Sequence, residues 1–319
     1  MSSLGLDLVP ILEALGSQSA TSFSFQGESY AFSSAAEAEA KLSELLYDRC
    51  YMRRINRSPS PSASNGEGSL LEALRAANAA RPRWQTGWLV DAVLEGGWIS
   101  AERDGLGRRF APGEFITKEG PGMPLRVGAV VDVYFAVESQ HMQPGFYFAF
   151  GETVADESDN ASLLRFYWHL DAVGAPLLLD SVSTRLNRFQ VPYRFKCLTH
   201  PAAYIRSDSA VVFVPRRSYQ IAARLLRDTR RDIAPDLRPD SPLFTKPMAD
   251  GLAFAEDPGG GLSFGMHRCA ALARAIRGVA LSQGSLLVTD VETQLSQQGV
   301  SPLFPYLNPG SVDIYEFVQ

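Results

Sequence analysis

Two short runs gather the groups in this chain that could carry proton or phosphate chemistry: Arg165-Phe166-Tyr167-Trp168-His169 and Arg194-Phe195-Lys196-Cys197. Side chains on a strand alternate between its faces. Arg165, Tyr167 and His169 therefore share one face and Arg194 and Lys196 share another, with Phe166, Trp168, Phe195 and Cys197 turned away. If the two strands pair across the helix between them, three cations, a phenol and an imidazole line one surface. Arg206, in Arg206-Ser207-Asp208, adds a further guanidinium near the start of the next strand. Such a surface suits a phosphate dianion, which guanidiniums hold through paired N–H donors with little need of a metal. Two amphipathic strands with a solvated face would give the same pattern, but here the face is basic in a chain of net charge −5. Lys196 stands out for a second reason. Of 30 basic residues only Lys41, Lys118, Lys196 and Lys246 are lysines. Arginine serves wherever any positive charge will do, so a retained lysine marks a place for an amine that can lose its proton, as a desolvated lysine among other cations does. The competing reading is a leftover lysine on a strand edge.

Other chemistries find less support. The acidic balance argues against nucleic-acid binding, which leaves a basic excess. Cys50, Cys197 and Cys269 are scattered without a CxxC pair, which excludes a disulfide framework and a standard zinc site and suits a reducing compartment. His141, His169, His200 and His267 lack metal-ligand spacing, so neither a metal nor a cofactor is expected. Gly259-Gly260-Gly261 has no GK[ST] after it and reads as a flexible turn. Kinase signatures are absent, and Ser-His-Asp hydrolase chemistry is set aside. No apolar run is long enough to span a bilayer and no positive n-region opens the chain, so a cytoplasmic protein is expected, unless the Ser-rich start holds an unstructured secretion signal.

The elements that must position these residues read as α+β: a helical N-terminal region followed by an α+β domain with a mixed or antiparallel sheet flanked by helices. Apolar spacing predicts helices over 4–15, 34–53 and 70–80. Between the last two, the Ser/Pro-rich run from Ser58 to Gly66 reads as a mobile loop, and Trp84 to Trp98 is ambiguous between helix and strand. Strands are expected over 127–137, 145–151, 164–170, 193–198 and 209–214, and helices over 176–189, 217–231, 266–281 and 286–298. A proline-rich connection spans 234–247. The expected division is residues 1–100 for docking or support and 101–319 for the α+β domain.

Several blocks carry a resemblance: Arg165-Phe-Tyr-Trp-His-Leu170, Val191-Pro-Tyr-Arg-Phe-Lys-Cys197, Tyr204-Ile-Arg-Ser-Asp208, Pro242-Leu-Phe-Thr-Lys-Pro247, Phe264-Gly-Met-His-Arg268, Pro305-Tyr-Leu-Asn-Pro309 and Asp313-Ile-Tyr315. In this order, from about Gly145 onward, they resemble the HopA effector family, which includes the lyase component of class V lanthipeptide and thioamitide biosynthesis. A more distant resemblance is to the phosphothreonine lyase effectors. It implies Lys196 as the base and Arg165, Arg194 and Arg206 as phosphate contacts, with Arg268 a fourth and Lys246 supporting the cluster. Where those effectors place a histidine acid, Tyr167 stands here and His169 lies two residues on. The acid is Tyr167, His169 or neither. The implied reaction is β-elimination of phosphate from phosphoserine or phosphothreonine, giving dehydroalanine or dehydrobutyrine. The implied partners are a phosphorylated precursor peptide, a separate aminoglycoside-phosphotransferase-like kinase and a cyclase. A translocated effector acting on a host phosphoprotein and a non-catalytic phosphopeptide-binding scaffold are the competing readings.

Overall fold

Three antiparallel sheets organise the chain, each built from its own stretch of sequence. The computed structural model describes residues 3–19, 21–52, 67–118, 120, 123–283 and 286–317, and the run from Ser58 to Gly66 lies outside them. The first stretch comprises α1 (Ser3–Ala14), β1 (Leu15–Gln18), β2 (Ser22–Phe25), β3 (Glu28–Ala31), α2 (Ala35–Leu45), a π-helical turn (Leu46–Tyr51) and α3 (Glu67–Ala77). It is thus not simply helical. Its three strands of four residues each are rich in Ser, and only the buried Leu15, Phe23 and Phe25 mark their inner face.

The second stretch runs β4 (Arg83–Val93), β5 (Ile99–Arg103), β6 (Leu106–Phe110), β7 (Phe115–Thr117) and β8 (Val130–Phe135), in the spatial order β6-β5-β4-β8-β7. The ambiguous segment is therefore strand. Its helical look comes from a register shift between Gln85 and Trp88, where Gly87 takes φ +81° and breaks the period of two. Trp88, Val90, Ile99, Ala101, Phe110, Val131 and Val133 form a core of their own. The sheet runs on both sides of residue 100, so the division read from the sequence falls within it.

The third stretch builds the largest sheet. It comprises β9 (Glu138–Ser139), β10 (Phe146–Phe150), α4 (Glu157–Asn160), β11 (Leu163–Trp168), α5 (Gly174–Arg188), β12 (Arg194–Leu198), β13 (Ala210–Pro215), α6 (Tyr219–Asp232), β14 (Lys246–Ala249), β15 (Leu252–Glu256), α7 (Phe264–Gln283) and α8 (Val288–Gln297). Strand order is β14-β15-β11-β13-β12-β10-β9, antiparallel throughout. The α+β class holds, with two differences. β11 and β12 do not pair directly, because β13 lies between them. The connection read as proline-rich loop ends in the hairpin β14–β15, whose Pro247 is tolerated because β14 is an edge strand.

The two faces of this sheet have different roles. Phe166 and Phe254 pack with Tyr219 of α6 and with Tyr315 of the C-terminal segment on one face, and α5 packs on α6. On the other face, Phe264 at the start of α7 meets Tyr167 and Tyr51, and α7 packs against α2 and the π-helical turn. The first stretch of chain thereby covers part of the face that carries the ionisable residues.

Candidate active site

Register fixes what shares that second face. Arg165 and Arg194 both pair with Phe213 from opposite sides of β13, and Tyr167 and Lys196 both pair with Val211. The sequence alternation is right, although the two strands are held one strand apart. Both guanidiniums lie against the Phe213 ring, at 5.2 Å for Arg165 and 4.4 Å for Arg194, which replaces part of the hydration they lose. Arg165 is committed further. Its Nε donates to Asp257 Oδ2 at 2.7 Å and its Nη2 to the Leu262 carbonyl at 2.7 Å. Arg194 makes no side-chain hydrogen bond among the described residues, and its Nε is buried. Burial and the neighbouring Arg165 pull its guanidinium below the usual range. A buried cation left unpaired is costly, and an incoming anion would relieve it.

Lys196 is half-buried in the same wall. Its Nζ donates to Gln143 Oε1 at 2.6 Å and sits 3.8 Å from the centre of the Phe146 ring. Among the described residues no carboxylate is within ion-pair distance of it. Burial and the charges of Arg206, Arg165 and Arg194 lower its pKa to about 8, against the opposing pull of Asp208. An amine in this setting is partly neutral near physiological pH. Arg206 lies on the far side of Phe146, 6.0 Å from its ring. Two of its nitrogens donate to Asp208, and Nη2 also donates to the Tyr47 hydroxyl at 3.0 Å. Arg165, Arg194 and Lys196 open onto one cleft of about 870 Å³ between the second and third sheets, together with Gln143, Phe148, Asp257 and Gly259 to Ser263.

Arg206 does not itself line that cleft, and four further expected site residues stand elsewhere. Tyr167 is buried beneath the π-helical turn and does not line the cleft; burial pushes its phenol up, so it keeps its proton. His169 lies just past the end of β11, buried, with Nδ1 3.0 Å from the Asp240 carbonyl. Lys246 pairs with Phe254 and so points to the opposite face, where Nζ donates to Asp313 Oδ2 and to the Tyr315 carbonyl, each at 2.7 Å. Arg268 is buried in α7 and holds the carbonyls of Pro305 at 2.8 Å and Leu307 at 2.7 Å. Lys246 and Arg268 thus fasten the C-terminal segment and are corrected from phosphate contacts to structural ties.

Other residues enter the site unannounced by the sequence. Gln143 comes from the loop before β10 and Tyr47 from the π-helical turn, a distortion found often at functional sites. The glycine run walls the cleft, with Gly259, Gly260 and Gly261 all at positive φ. Gly261-Leu262-Ser263-Phe264-Gly265 also has the spacing of a hydrolase nucleophile elbow. Ser263 lacks the strained backbone of such an elbow, and no histidine hydrogen-bonds its hydroxyl among the described residues. Among the described residues no cluster of His, Cys, Asp or Glu could hold a metal ion, and no helix is long and apolar enough to cross a membrane.

The model of the HopA1 effector protein family matches residues 137–307, a span that begins at the edge of the large sheet and takes in every strand of it. The chain belongs to the HopA1 effector family. Two solved effector structures are similar to this HopA1 family member. One is from Pseudomonas syringae pv. tomato strain DC3000, with a TM-score of 0.46 and 16% identity. The other is from Pseudomonas syringae pv. syringae strain 61, with a TM-score of 0.45 and 14% identity. Each alignment covers 85% of this chain and 96% of the other. No curated protein sequence matches the chain.

Proposed function

We propose that this HopA1-family chain is a lyase that removes phosphate from phosphoserine or phosphothreonine in a peptide, leaving dehydroalanine or dehydrobutyrine. The observation that carries the reading is Lys196: a half-buried amine with no carboxylate in contact among the described residues, pulled down to about 8, on the same cleft wall as Arg194, whose guanidinium has no hydrogen-bond partner among them. In the proposed step the neutral Nζ takes the Cα proton. The C–H pair becomes the Cα=Cβ bond, and the Cβ–O bond breaks with its electrons leaving on phosphate. Arg194 and Arg165 bear the phosphate charge, with Arg206 adding its field from behind Phe146, and the balance needs no oxidant, reductant or metal. Tyr167 and His169 are buried away from the cleft, which favours departure of phosphate as the anion without a protein acid. Gln143 accepts a hydrogen bond from Nζ and so aims its lone pair once the amine is neutral.

Maturation of a ribosomal peptide fits this chemistry. A separate kinase of the aminoglycoside-phosphotransferase type would phosphorylate the precursor, and a cyclase would consume the alkene. The test is to incubate the protein with a phosphoserine or phosphothreonine peptide and follow loss of phosphoric acid by mass spectrometry. Wild type is expected to produce the unsaturated peptide, while Lys196→Ala and Lys196→Arg bind the phosphopeptide and leave it intact. Unchanged product in either variant removes Lys196 from the mechanism. A wild-type protein that binds but never eliminates is a phosphopeptide-binding scaffold instead.

A further inference from the structure

The 870 Å³ cleft is far larger than a phosphate needs, and its opposite wall belongs to the second sheet: Arg108, Phe110, Glu114, Tyr134 and Phe135. Arg108 of β6 is the notable group there. It is half-buried, with its guanidinium 5.3 Å from the Phe135 ring and 5.8 Å from Phe110. Its guanidinium makes no hydrogen bond or ion pair among the described residues. Burial pulls its charge down, opposed by Glu114 and Glu157. Both carboxylates are engaged elsewhere: Glu114 Oε2 accepts from the Ala111 amide at 2.9 Å, and Glu157 pairs with Arg109 at 3.6 Å. Arg83 of β4 lies 5.5 Å from the same Phe135 ring and likewise has no hydrogen-bond partner among the described residues. Arg–Phe–Arg stacking around Phe135 thus repeats, in the second sheet, the arrangement around Phe213 in the third.

Arg108 stands on the second sheet, whereas Arg165, Arg194 and Lys196 stand on the third, so the cleft carries cationic positions on two facing walls. A substrate filling both would carry two anionic groups separated by a stretch of chain, as a phosphopeptide with an acidic neighbour does. Glu114 and Glu157 beside Arg108 favour a singly charged carboxylate there over a second phosphate dianion. We infer that Arg108 is a specificity-determining residue that receives the carboxylate of a Glu or Asp flanking the phosphorylated residue of the substrate peptide. The inference rests on the lyase reading for its substrate, but its binding test does not.

The probes are a phosphoserine peptide with alanines on both sides and a series in which one glutamate moves through the flanking positions. Elimination is followed by mass spectrometry and binding by fluorescence anisotropy of labelled peptides. In wild type one glutamate position should raise kcat/KM and tighten binding roughly tenfold, the scale of one charge-assisted contact in a partly desolvated site. Arg108→Gln should lose that gain while treating the alanine peptide as wild type does, and Arg108→Lys should keep part of it. Replacing the favoured glutamate by glutamine should remove the gain in wild type without any change to the protein, which decides the matter if Arg108→Gln fails to fold. No favoured glutamate at any position, or a gain that survives in Arg108→Gln, overturns the inference. Binding that depends on glutamate and Arg108 without any elimination sustains the inference and sinks the lyase reading instead.

Discussion

Lys196 and Lys246 are two of only four lysines in the chain and sit on the same sheet, yet they face opposite sides of it and meet opposite surroundings. Lys246 has what a structural cation needs. A carboxylate and a carbonyl are each 2.7 Å away, and the Tyr306 hydroxyl donates to the same Asp313 carboxylate at 2.6 Å. Lys196 has a neutral amide, an aromatic ring and three nearby guanidiniums, with the Asp208 carboxylate acting on it only from a distance. Scarcity against an arginine-rich background singled out both residues. Only the partner tells an amine kept for its charge from one kept for losing it.

The largest expected effect breaks this pair apart by activity. Lys196→Met should lower elimination by roughly 10²–10⁴-fold, the range of a lost general base, whereas Lys246→Met should leave turnover of the folded protein within about twofold. The pH profile sharpens the contrast. The base works as the neutral amine, so kcat/KM of the wild type should rise with pH and level off above about 8. In the complex, the bound phosphate dianion favours the ammonium, so the limb in kcat should lie higher. A flat profile across this window in a kinetically competent enzyme would speak against Lys196 as base.

Stability should invert the order. The folded state holds the Lys196 proton less tightly than the unfolded chain, whose lysine titrates near 10.5. Between about 8 and 10.5 the unfolded state binds more protons, so stability rises with pH across that window and the full penalty is felt below it. Lys196→Met should therefore raise the melting temperature at pH 7 by roughly 1–3 °C, with the gain fading above pH 8. Lys246→Met should do the reverse, costing about 1–3 kcal/mol because Asp313 loses a donor it is buried against. The Asp313 carboxyl is held below its usual 3.8 by hydrogen bonds from Lys246 and Tyr306, which outweigh burial. That contribution is present above pH 4 and disappears as acid protonates it. Thermal melts of the two variants at pH 7 and pH 9.5 measure both signs.

How much of this was legible in the sequence depends on which links were local. The period of two in β11 and β12 correctly put Arg165 with Tyr167 and Arg194 with Lys196, since alternation needs no knowledge of partners. The interposed β13 was not legible as a neighbour of both. Ala210–Pro215 is buried along its whole length and carries no polar mark to show where it inserts. Lys246 was misplaced because its face is set by the register of the β14–β15 hairpin, and Pro247 made that strand read as loop. Gln143 and Tyr47 reach the site from 53 and 159 residues away from the side chains they contact. Separations of that size leave no trace in a local pattern. Arg108 escaped for the same reason: its importance depends on two sheets meeting, and its own strand is a short, turn-flanked run of glycine and arginine.

The smallest effect tests whether the first stretch of chain belongs to the chemistry or only supports it. Tyr47 accepts a hydrogen bond from Arg206 Nη2, and Nε and Nη2 of the same guanidinium also donate to Asp208. Tyr47→Phe removes one partner and keeps the ring, which stacks on Tyr51 at 5.2 Å. Packing should then be preserved, and the melting temperature should move little. Arg206 would lose one of the restraints on its orientation, so KM for a phosphopeptide should rise by a few-fold, the scale of one hydrogen bond to a charged group, with kcat nearly unchanged. A purely supporting role predicts the opposite: a change in melting temperature with KM unmoved. Tyr47→Phe therefore separates a residue that positions a phosphate ligand from one that merely roofs the sheet. It also shows whether the face carrying Lys196 is completed by a segment the family match does not include.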